Sequence, residues 1–226
     1  MPLSDDVRVR LEADAAQIIG RYPRSRSALL PLLHLVQSEE GFVSEDGLAF
    51  CAEQLGLTEA DVTAVASFYT MYKRQPVGEY HVGVCTNALC AVMGGDVIFA
   101  DLQKHLGIGN NETTPDGKVS LEHLECNAAC DYAPVVMVNW EFYDNMTPQK
   151  AREVVDGLRT GADSARPTRG APRQCTWKQA GRILAGFPDD QAAEGNTAGD
   201  ASLAGLRMAR EQGWTPDNRD TTGSTT

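Results

Sequence analysis

The sequence predicts an α+β protein made of an N-terminal helical bundle (residues 1–77), a small sheet packed with helices (residues 78–162) and a largely irregular C-terminal extension (residues 163–226). Three observations lead to this fold class. Apolar residues recur at helical spacing in the first part, alternate with the period of a β-strand from Gly78 onward, and become rare in the last part, where Leu, Ile, Val and Phe together number only five.

Four short amphipathic helices are predicted in the first part. Val7, Leu11 and Ala15 recur on one face of the first helix, and Ser44 and Thr58 are favourable N-cap residues for the third and fourth helices. Short loops between such helices indicate a small bundle. The predicted ranges are 4–22, 27–41, 44–55 and 58–69.

The second part begins with a half-buried strand, because Tyr80, Val82 and Val84 alternate with polar or small residues. Thr147 and Pro148 are suited to the cap and first turn of its final helix. The predicted elements are a strand at 80–85, a helix at 95–106, turns at 110–117, strands at 119–124 and 135–140, a turn or short strand at 141–146, and a helix at 147–161. This order of elements is typical of thioredoxin-like folds.

The C-terminal extension has too few apolar residues to offset the conformational entropy that a chain loses when it becomes ordered. It is therefore expected to be mostly irregular, with short helices near 176–185 and 200–212. Two roles fit this composition: a linker-like appendage, and a segment that wraps around a partner.

The charge balance excludes several function classes. The chain has 31 acidic and 20 basic residues, and the net charge of −11 lies entirely in residues 1–162. Nucleic acids and anionic membranes are bound by clustered Lys and Arg, so neither is expected as a partner. Every apolar run, including residues 134–138, is far shorter than the roughly 20 residues of a membrane-spanning helix, and no signal peptide is recognisable. The sequence predicts a cytoplasmic protein without direct membrane insertion.

Four of the six cysteines form two closely spaced pairs, Cys85-x4-Cys90 and Cys126-x3-Cys130. In a chain without a secretory signal, such spacing indicates metal or redox chemistry rather than disulfides. If the predicted strands 80–85 and 135–140 are neighbours, both pairs emerge at the same edge of the sheet. Four thiolates can then converge on one inorganic centre.

A set of four thiolates selects zinc or an iron–sulfur cluster. Zinc knuckles are often tighter and often include histidine, whereas the loops CTNALC and CNAAC consist of small residues that let backbone N–H groups approach sulfur. Hydrogen bonds of this kind tune [2Fe–2S] centres. The spacing favours an iron–sulfur cluster and leaves zinc, or unrelated buried thiols, as alternatives.

The remaining candidates are interpreted as non-ligands. Cys51 lies in a helical apolar pattern and is expected in the core, Cys175 has no partner at ligand spacing, and His123 is expected to be a half-exposed strand residue. The C-x-x-C motif of a thiol–disulfide catalyst is absent from the sequence.

Three segments carry a family resemblance: SALLPLLHLVQSEEGFVS, VASFYTMYKRQPVGEYHVGVCTNALC and ECNAACDYAPVVMVN. Over residues 15–160 the chain closely resembles the family of [2Fe–2S] subunits, the E subunits, of bacterial NADH–quinone oxidoreductase, which is respiratory complex I. The mitochondrial counterpart of this family is the flavoprotein 2 subunit. The resemblance implies a helical bundle followed by a thioredoxin-like [2Fe–2S] ferredoxin domain. It also implies that the protein is an oxidoreductase subunit of a proton-translocating respiratory chain complex.

The resemblance further implies the site and its surroundings. One [2Fe–2S] cluster would be held by Cys85, Cys90, Cys126 and Cys130, with no catalytic residue in this chain. FMN and NADH are expected on a partner subunit, since the sequence has neither a strand-linked G-x-G-x-x-G nor a P-loop. The expected partners are that flavin- and NADH-binding subunit and the other iron–sulfur subunits of the peripheral arm, at the inner face of the cell membrane.

The same resemblance suggests a cis-proline at residues 133–134, although a trans proline that starts a strand is the simpler expectation. Other functions stay open: a diaphorase subunit of an NAD-linked hydrogenase or formate dehydrogenase, a zinc-stabilised structural module, and a free-standing ferredoxin. A docking surface is hypothesised at four residues, with core packing as the competing interpretation of each: Phe68, Tyr69, Met71 and Tyr72.

Overall fold

The structure, a computed structural model, describes residues 5–161, 165–190, 195 and 197–214. Within these ranges it contains nine α-helices and one five-stranded sheet. The helices are α1 (Asp5–Ile19), α2 (Leu29–Glu40), α3 (Glu45–Leu55), α4 (Glu59–Phe68), α5 (Ala88–Val92), α6 (Gly95–Leu106), α7 (Pro148–Thr160), α8 (Trp177–Leu184) and α9 (Asp200–Glu211). The strands are β1 (Tyr80–Cys85), β2 (Glu112–Thr113), β3 (Val119–Leu124), β4 (Val136–Val138) and β5 (Glu141–Tyr143).

Helices α1 to α4 form the predicted bundle, and their ends follow the predicted capping residues. The Ser44 hydroxyl accepts a hydrogen bond from the backbone N–H of Gly47, and Thr58 forms a capping box with Asp61. A 3₁₀ turn at Ser25–Ala28 delays the start of α2 relative to the prediction. The bundle core is apolar and includes Leu11, Ala15, Ile18, Leu32, Leu33, Phe50 and Cys51.

The sheet has the strand order β2-β3-β1-β4-β5. Its central strand β1 runs parallel to β3, with Cys85 opposite Leu124, and antiparallel to β4, with Val84 opposite Val136. The predicted neighbour relation of the strands at 80–85 and 135–140 is therefore confirmed. One face of the sheet packs on α6 and α7 through Val82, Val84, Leu121, Ile98, Leu102, Val154 and Val155.

Two short elements were not predicted. The two-residue strand β2 lies inside the segment expected to contain only turns, and it exists because it pairs with β3. Helix α5 is a single short element that contains Cys90 and ends shortly before Gly94. Both are too short for hydrophobic periodicity to reveal them. The Ala133–Pro134 peptide bond is cis, so the suggestion drawn from the family resemblance is confirmed and the trans expectation is wrong.

The helices expected in the C-terminal extension are present as α8 and α9. The other described residues of the extension contain no further α-helix, yet α8 packs tightly on α2. Trp177 is only 2% exposed, its Nε1–H donates to the Gly41 carbonyl at 2.7 Å, and Gly181 lies against the Ser38 backbone. The Trp177 ring buries apolar surface, and Gly181 allows α8 to approach α2 closely. These two residues compensate for the few aliphatic side chains of the extension. The linker-like interpretation therefore does not describe residues 165–187.

The Trp177 ring also reaches the face of the sheet opposite α6 and α7. Its centroid lies 5.2 Å from that of His81 on β1 and 5.7 Å from that of Trp140 in the β4–β5 turn. The extension thus contacts both the bundle and the sheet. The three-part division at residues 77 and 162 stays a prediction.

Candidate metal centre

The fold brings the two cysteine pairs to one end of the sheet. Cys85 is the last residue of β1, and Cys90 lies in α5, the next element along the chain. Cys126 comes two residues after the end of β3, and Cys130 opens a 3₁₀ turn, Cys130–Tyr132. Because β1 and β3 are parallel neighbours, both loops leave the sheet on the same side. We call residues 85–90 the first cysteine loop and residues 126–130 the second cysteine loop.

Within each loop the two thiols lie close to each other. The Sγ atoms of Cys126 and Cys130 are 3.7 Å apart, and the thiols of Cys85 and Cys90 are within hydrogen-bonding reach. Among the described residues, no group of three or more His, Cys, Asp or Glu side chains is placed to hold a single metal ion. The cysteines are therefore arranged two by two.

The first cysteine loop is packed against backbone. Gly95 approaches so closely that a Cβ atom there would lie 2.4 Å from the Cys85 carbonyl oxygen and 2.9 Å from that of Cys90. The Cys85 N–H donates to the Val135 carbonyl at 3.1 Å, which ties the end of β1 to the entry of β4. Both thiols of this loop are buried, at 3% exposure.

The second cysteine loop is exposed and irregular. The backbone N–H of Ala128 donates to the Cys126 Sγ at 3.4 Å, the kind of contact expected from the small residues of this loop. Ala128 itself has a φ of 54°, in the left-handed region. Asn127 carries a buried Nδ2 group that has no hydrogen-bond partner in the part of the chain that the structure describes. The Asn87 side chain of the first loop donates to Glu125, the residue just before the second loop, at 2.6 Å.

Two of the four thiols have a raised pKa in the metal-free chain. Burial raises the pKa of Cys90 to about 11, and the neighbouring Cys126 thiol raises the pKa of Cys130. Only thiolates bind metal, so any centre bound here must displace these protons.

The donor set fits a [2Fe–2S] cluster. Four cysteine sulfurs are the usual ligands of such a cluster, with two sulfurs for each iron. The Ala128 N–H and the unpartnered Asn127 amide add donors suited to a negatively charged iron–sulfur centre.

The other predicted residues lie where the sequence indicated, with one exception. Cys51 is fully buried in the bundle, Cys175 is a partly buried free thiol in the extension, and His123 is exposed on β3. Of the hypothesised docking residues, Phe68 is 77% exposed, whereas Tyr72 is buried and donates its hydroxyl to the Leu30 carbonyl. The docking hypothesis is wrong for Tyr72, because that residue belongs to the core.

An apolar surface beside the first cysteine loop was missed. It consists of Leu89, Val92, Met93 and Val97, which are 44%, 85%, 54% and 61% exposed. We call these four residues the α5 patch. The signal was the apolar sequence on both sides of Cys90 and the glycines that follow it, which sequence reasoning assigned to no role.

A second polar group lies on the face of the sheet opposite α6 and α7. The buried His81 ring contacts Glu122 at 2.5 Å, and Glu122 also pairs with Lys73 at the edge of a cavity of about 430 Å³. Burial lowers the pKa of His81. Burial alone would raise the pKa of Glu122, but hydrogen bonds from His81 and Lys73 hold it at about 2.

A thioredoxin-like sheet with four thiols on two loops at one end defines the class of thioredoxin-fold ferredoxins. The chain belongs to the thioredoxin-like [2Fe-2S] ferredoxin family, whose model matches residues 15–159. The family and the fold class predicted from the sequence are confirmed.

Curated relatives carry a more specific name. The chain is 65% identical over 207 residues to the E subunit of the NADH-quinone oxidoreductase of Mycobacterium tuberculosis, a match that covers 91% of this chain and 81% of the relative. It is 40% identical over 148 residues to the protein of the same name from Rickettsia bellii, with 64% and 89% covered. The mycobacterial match extends well into the C-terminal extension.

Among solved structures, the chain is similar to the NAD+-reducing [NiFe]-hydrogenase in the air-oxidized state. The TM-score is 0.53 at 19% sequence identity, and the match covers 59% of this chain and 23% of the hydrogenase chain. This similarity concerns the fold.

Proposed function

We propose that Cys85, Cys90, Cys126 and Cys130 hold one [2Fe–2S] cluster, and that the chain transfers electrons as the E subunit of an NADH–quinone oxidoreductase. The observation that carries the proposal is the meeting of two cysteine pairs at one end of a thioredoxin-like sheet. The identity of 65% to the Mycobacterium tuberculosis protein supports this parent complex over a hydrogenase.

The bound cluster would supply one-electron chemistry, since it accepts and donates single electrons. The residues of the chain hold it, shield it and tune it. The buried first cysteine loop provides a rigid half of the site, and the Ala128 N–H stabilises negative charge on the Cys126 sulfur. Asn127 is placed to do the same with its free amide.

The proposed partner is the flavin- and NADH-binding subunit, and the α5 patch is its proposed docking surface. Four large apolar side chains exposed around one cysteine ligand are costly in water and are typical of an interaction site. Contact at this place would bring the partner's flavin next to the cluster, while hydride chemistry stays on the flavin. Other iron–sulfur subunits of the peripheral arm are proposed as further neighbours.

No helix among the described residues is long and apolar enough to cross a membrane. We propose that the chain reaches the inner face of the cell membrane through the other subunits of the complex.

The decisive experiment measures iron, acid-labile sulfide and zinc on anaerobically purified protein, together with its EPR spectrum after dithionite reduction. Two irons, two sulfides and a rhombic S = 1/2 signal are expected. Stoichiometric zinc without sulfide, persisting after reconstitution, would replace the electron-transfer function with a structural one.

Cysteine variants test the ligand assignment. We expect Cys85→Ser and Cys130→Ser to lose most of their iron, because each removes a sulfur ligand. Cys51→Ser and Cys175→Ser are the matched controls and are expected to retain it, since Cys51 lies in the bundle core and Cys175 lies beside Asn139 in the β4–β5 turn. Equal iron loss in all four variants would contradict the assignment.

A further inference from the structure

The C-terminal extension runs along the edge of the sheet before it reaches the bundle. The backbone N–H of Thr168 donates to the Phe142 carbonyl on β5 at 2.8 Å. Further along, the Gln174 side chain donates to the Val138 carbonyl at 3.0 Å, and the Cys175 carbonyl accepts from Asn139 at 2.8 Å. The extension therefore covers the edge that β5 would otherwise leave open.

Arg169 connects this edge to the second cysteine loop. Its Nε donates to the Asp144 carboxylate at 2.9 Å, and both side chains are largely buried, at 16% and 7% exposure. The guanidinium lies 3.9 Å from the ring centroid of Phe142 and 5.1 Å from that of Tyr132. Tyr132 is two residues after Cys130, and its carbonyl accepts a hydrogen bond from the Asn145 N–H. Arg169 is thus a largely buried cation that holds Tyr132, just after the second cysteine loop, against the sheet.

The extension returns to the same loop a second time, after α8. Gly199 packs so closely on Tyr132 that a Cβ atom there would lie 2.2 Å from the tyrosine hydroxyl. The Ser202 hydroxyl, in the first turn of α9, donates to the Asp131 carboxylate at 2.6 Å. Asp131 is the residue next to Cys130.

In the described chain α9 buries none of its own side chains. Its position therefore depends on these contacts with the loop rather than on a hydrophobic core. Arg169, before α8, contacts Tyr132, and residues 199 and 202, after α8, contact residues 131 and 132. Two separate parts of the extension therefore fix the same short segment.

We propose that residues 165–175 and 197–202 of the C-terminal extension form a cover for the second cysteine loop, in which Arg169, Gly199 and Ser202 are positioning residues for the Cys130 ligand. This inference rests on the proposed function. The cover limits opening of the loop, and so it slows the release of iron from the cluster. The Arg169 guanidinium stacks on Tyr132, two residues after the Cys130 ligand. Its positive charge raises the reduction potential, because the centre gains negative charge on reduction.

The test uses point variants of the full-length chain with its reconstituted cluster. Arg169→Gln and Gly199→Ala are each expected to raise the rate of iron release to a chelator by about three- to tenfold, since each weakens contacts that hold the loop closed. Arg169→Gln is also expected to shift the EPR-monitored reduction potential to a more negative value. Arg169→Lys keeps the charge but loses the flat stacking, so it should retain the potential while iron release still rises.

The chain offers a matched control for each variant. Arg182 pairs with Asp14 at 2.7 Å and lies over the Phe187 ring, but on the bundle side, so Arg182→Gln should leave release and potential unchanged. Gly205 lies in α9 with no atom within 4 Å of an added Cβ, so Gly205→Ala should also be silent.

A second readout does not need the cluster. In the metal-free chain, hydrogen–deuterium exchange over residues 126–134 should be faster in Arg169→Gln and Gly199→Ala than in their controls. If both variants show wild-type rates of exchange and of iron release, the proposed cover is overturned. The proposed function is unaffected by that result as long as the cluster is normal. Wild-type protein without iron and sulfide would instead overturn the proposed function.

Discussion

The first cysteine loop is held by regular structure, whereas the second is held by side chains from distant parts of the chain. Cys85 ends a central strand and Cys90 lies in a helix, both buried under the backbone contact of Gly95. Cys126 and Cys130 are exposed on an irregular segment. The position of the first pair is therefore set by the fold itself, while that of the second depends on contacts that sequence change can adjust one at a time.

The largest effect is expected from a substitution that disrupts the packing of the first cysteine loop. Gly95→Ala places a Cβ atom against two backbone carbonyls that cannot move independently of the cysteines, so it should destabilise the fold by about 3 kcal/mol and lower iron content. Thermal unfolding and iron analysis measure both effects. Gly107→Ala is the control: its φ of 68° is unfavourable, but no atom lies nearby, so about 1 kcal/mol is expected and iron is retained. Equal effects would contradict the packing argument.

Acid should loosen both loops together, because His81 lies on β1 and Glu122 on β3. The unfolded chain binds a proton on His81 below a pH of roughly 6.5, while burial lowers the pKa of the folded residue, so stability falls as the pH drops from there. Glu122 has a folded pKa of about 2 against an ordinary 4.5, and its contribution, on the order of 2 kcal/mol, is lost between those values.

Chemical denaturation of the metal-free chain across pH 7 to 3 checks this expectation. Glu122→Gln should be less stable at neutral pH, because Lys73 loses its partner, and should show a flatter profile in acid. Hydrogen–deuterium exchange that rises in one loop only would show that the two strands do not act as a unit.

The smallest expected effect comes from Ala→Gly substitutions, which should change the stability in opposite directions in the second cysteine loop and in α5. Ala128→Gly in the second loop should stabilise by about 0.5–1 kcal/mol, because an L-residue at a φ of 54° is strained and glycine is not. Ala91→Gly in α5 should destabilise by a similar amount, since glycine is unfavourable within a helix. Denaturant midpoints of the metal-free variants measure the difference. Shifts of the same sign would mean that the two loops do not differ in this way.

Much of the fold could be predicted from local signals. Helix α3 begins after its predicted cap Ser44 and ends at Leu55, and β1 and β3 have their predicted bounds, because capping residues and alternation act over a few neighbouring positions. The four cysteines were likewise visible as a spacing pattern, and their two loops meet because β1 and β3 are parallel.

The rest depends on contacts between distant residues. Asn127 was recognised only as a loop residue, and its unpartnered amide is a property of burial that spacing does not encode. The packing of the extension was missed because the prediction used its average composition. An average does not reveal that one residue, Trp177, is almost fully buried. The capping box of Thr176 and Gln179 just before a tryptophan-led helix was the available signal.

Three aromatic rings from three parts of the chain meet at His81, Trp140 and Trp177, and the third tryptophan of the sequence, Trp214, is 67% exposed. Indole fluorescence responds to the polarity and the quenching groups around the ring. The metal-free protein therefore has an intrinsic optical reporter for the packing of α8 on the sheet. Separation of Trp177 from the sheet would move its emission to longer wavelength against the constant background of Trp214, and the event could be followed in real time without an attached dye.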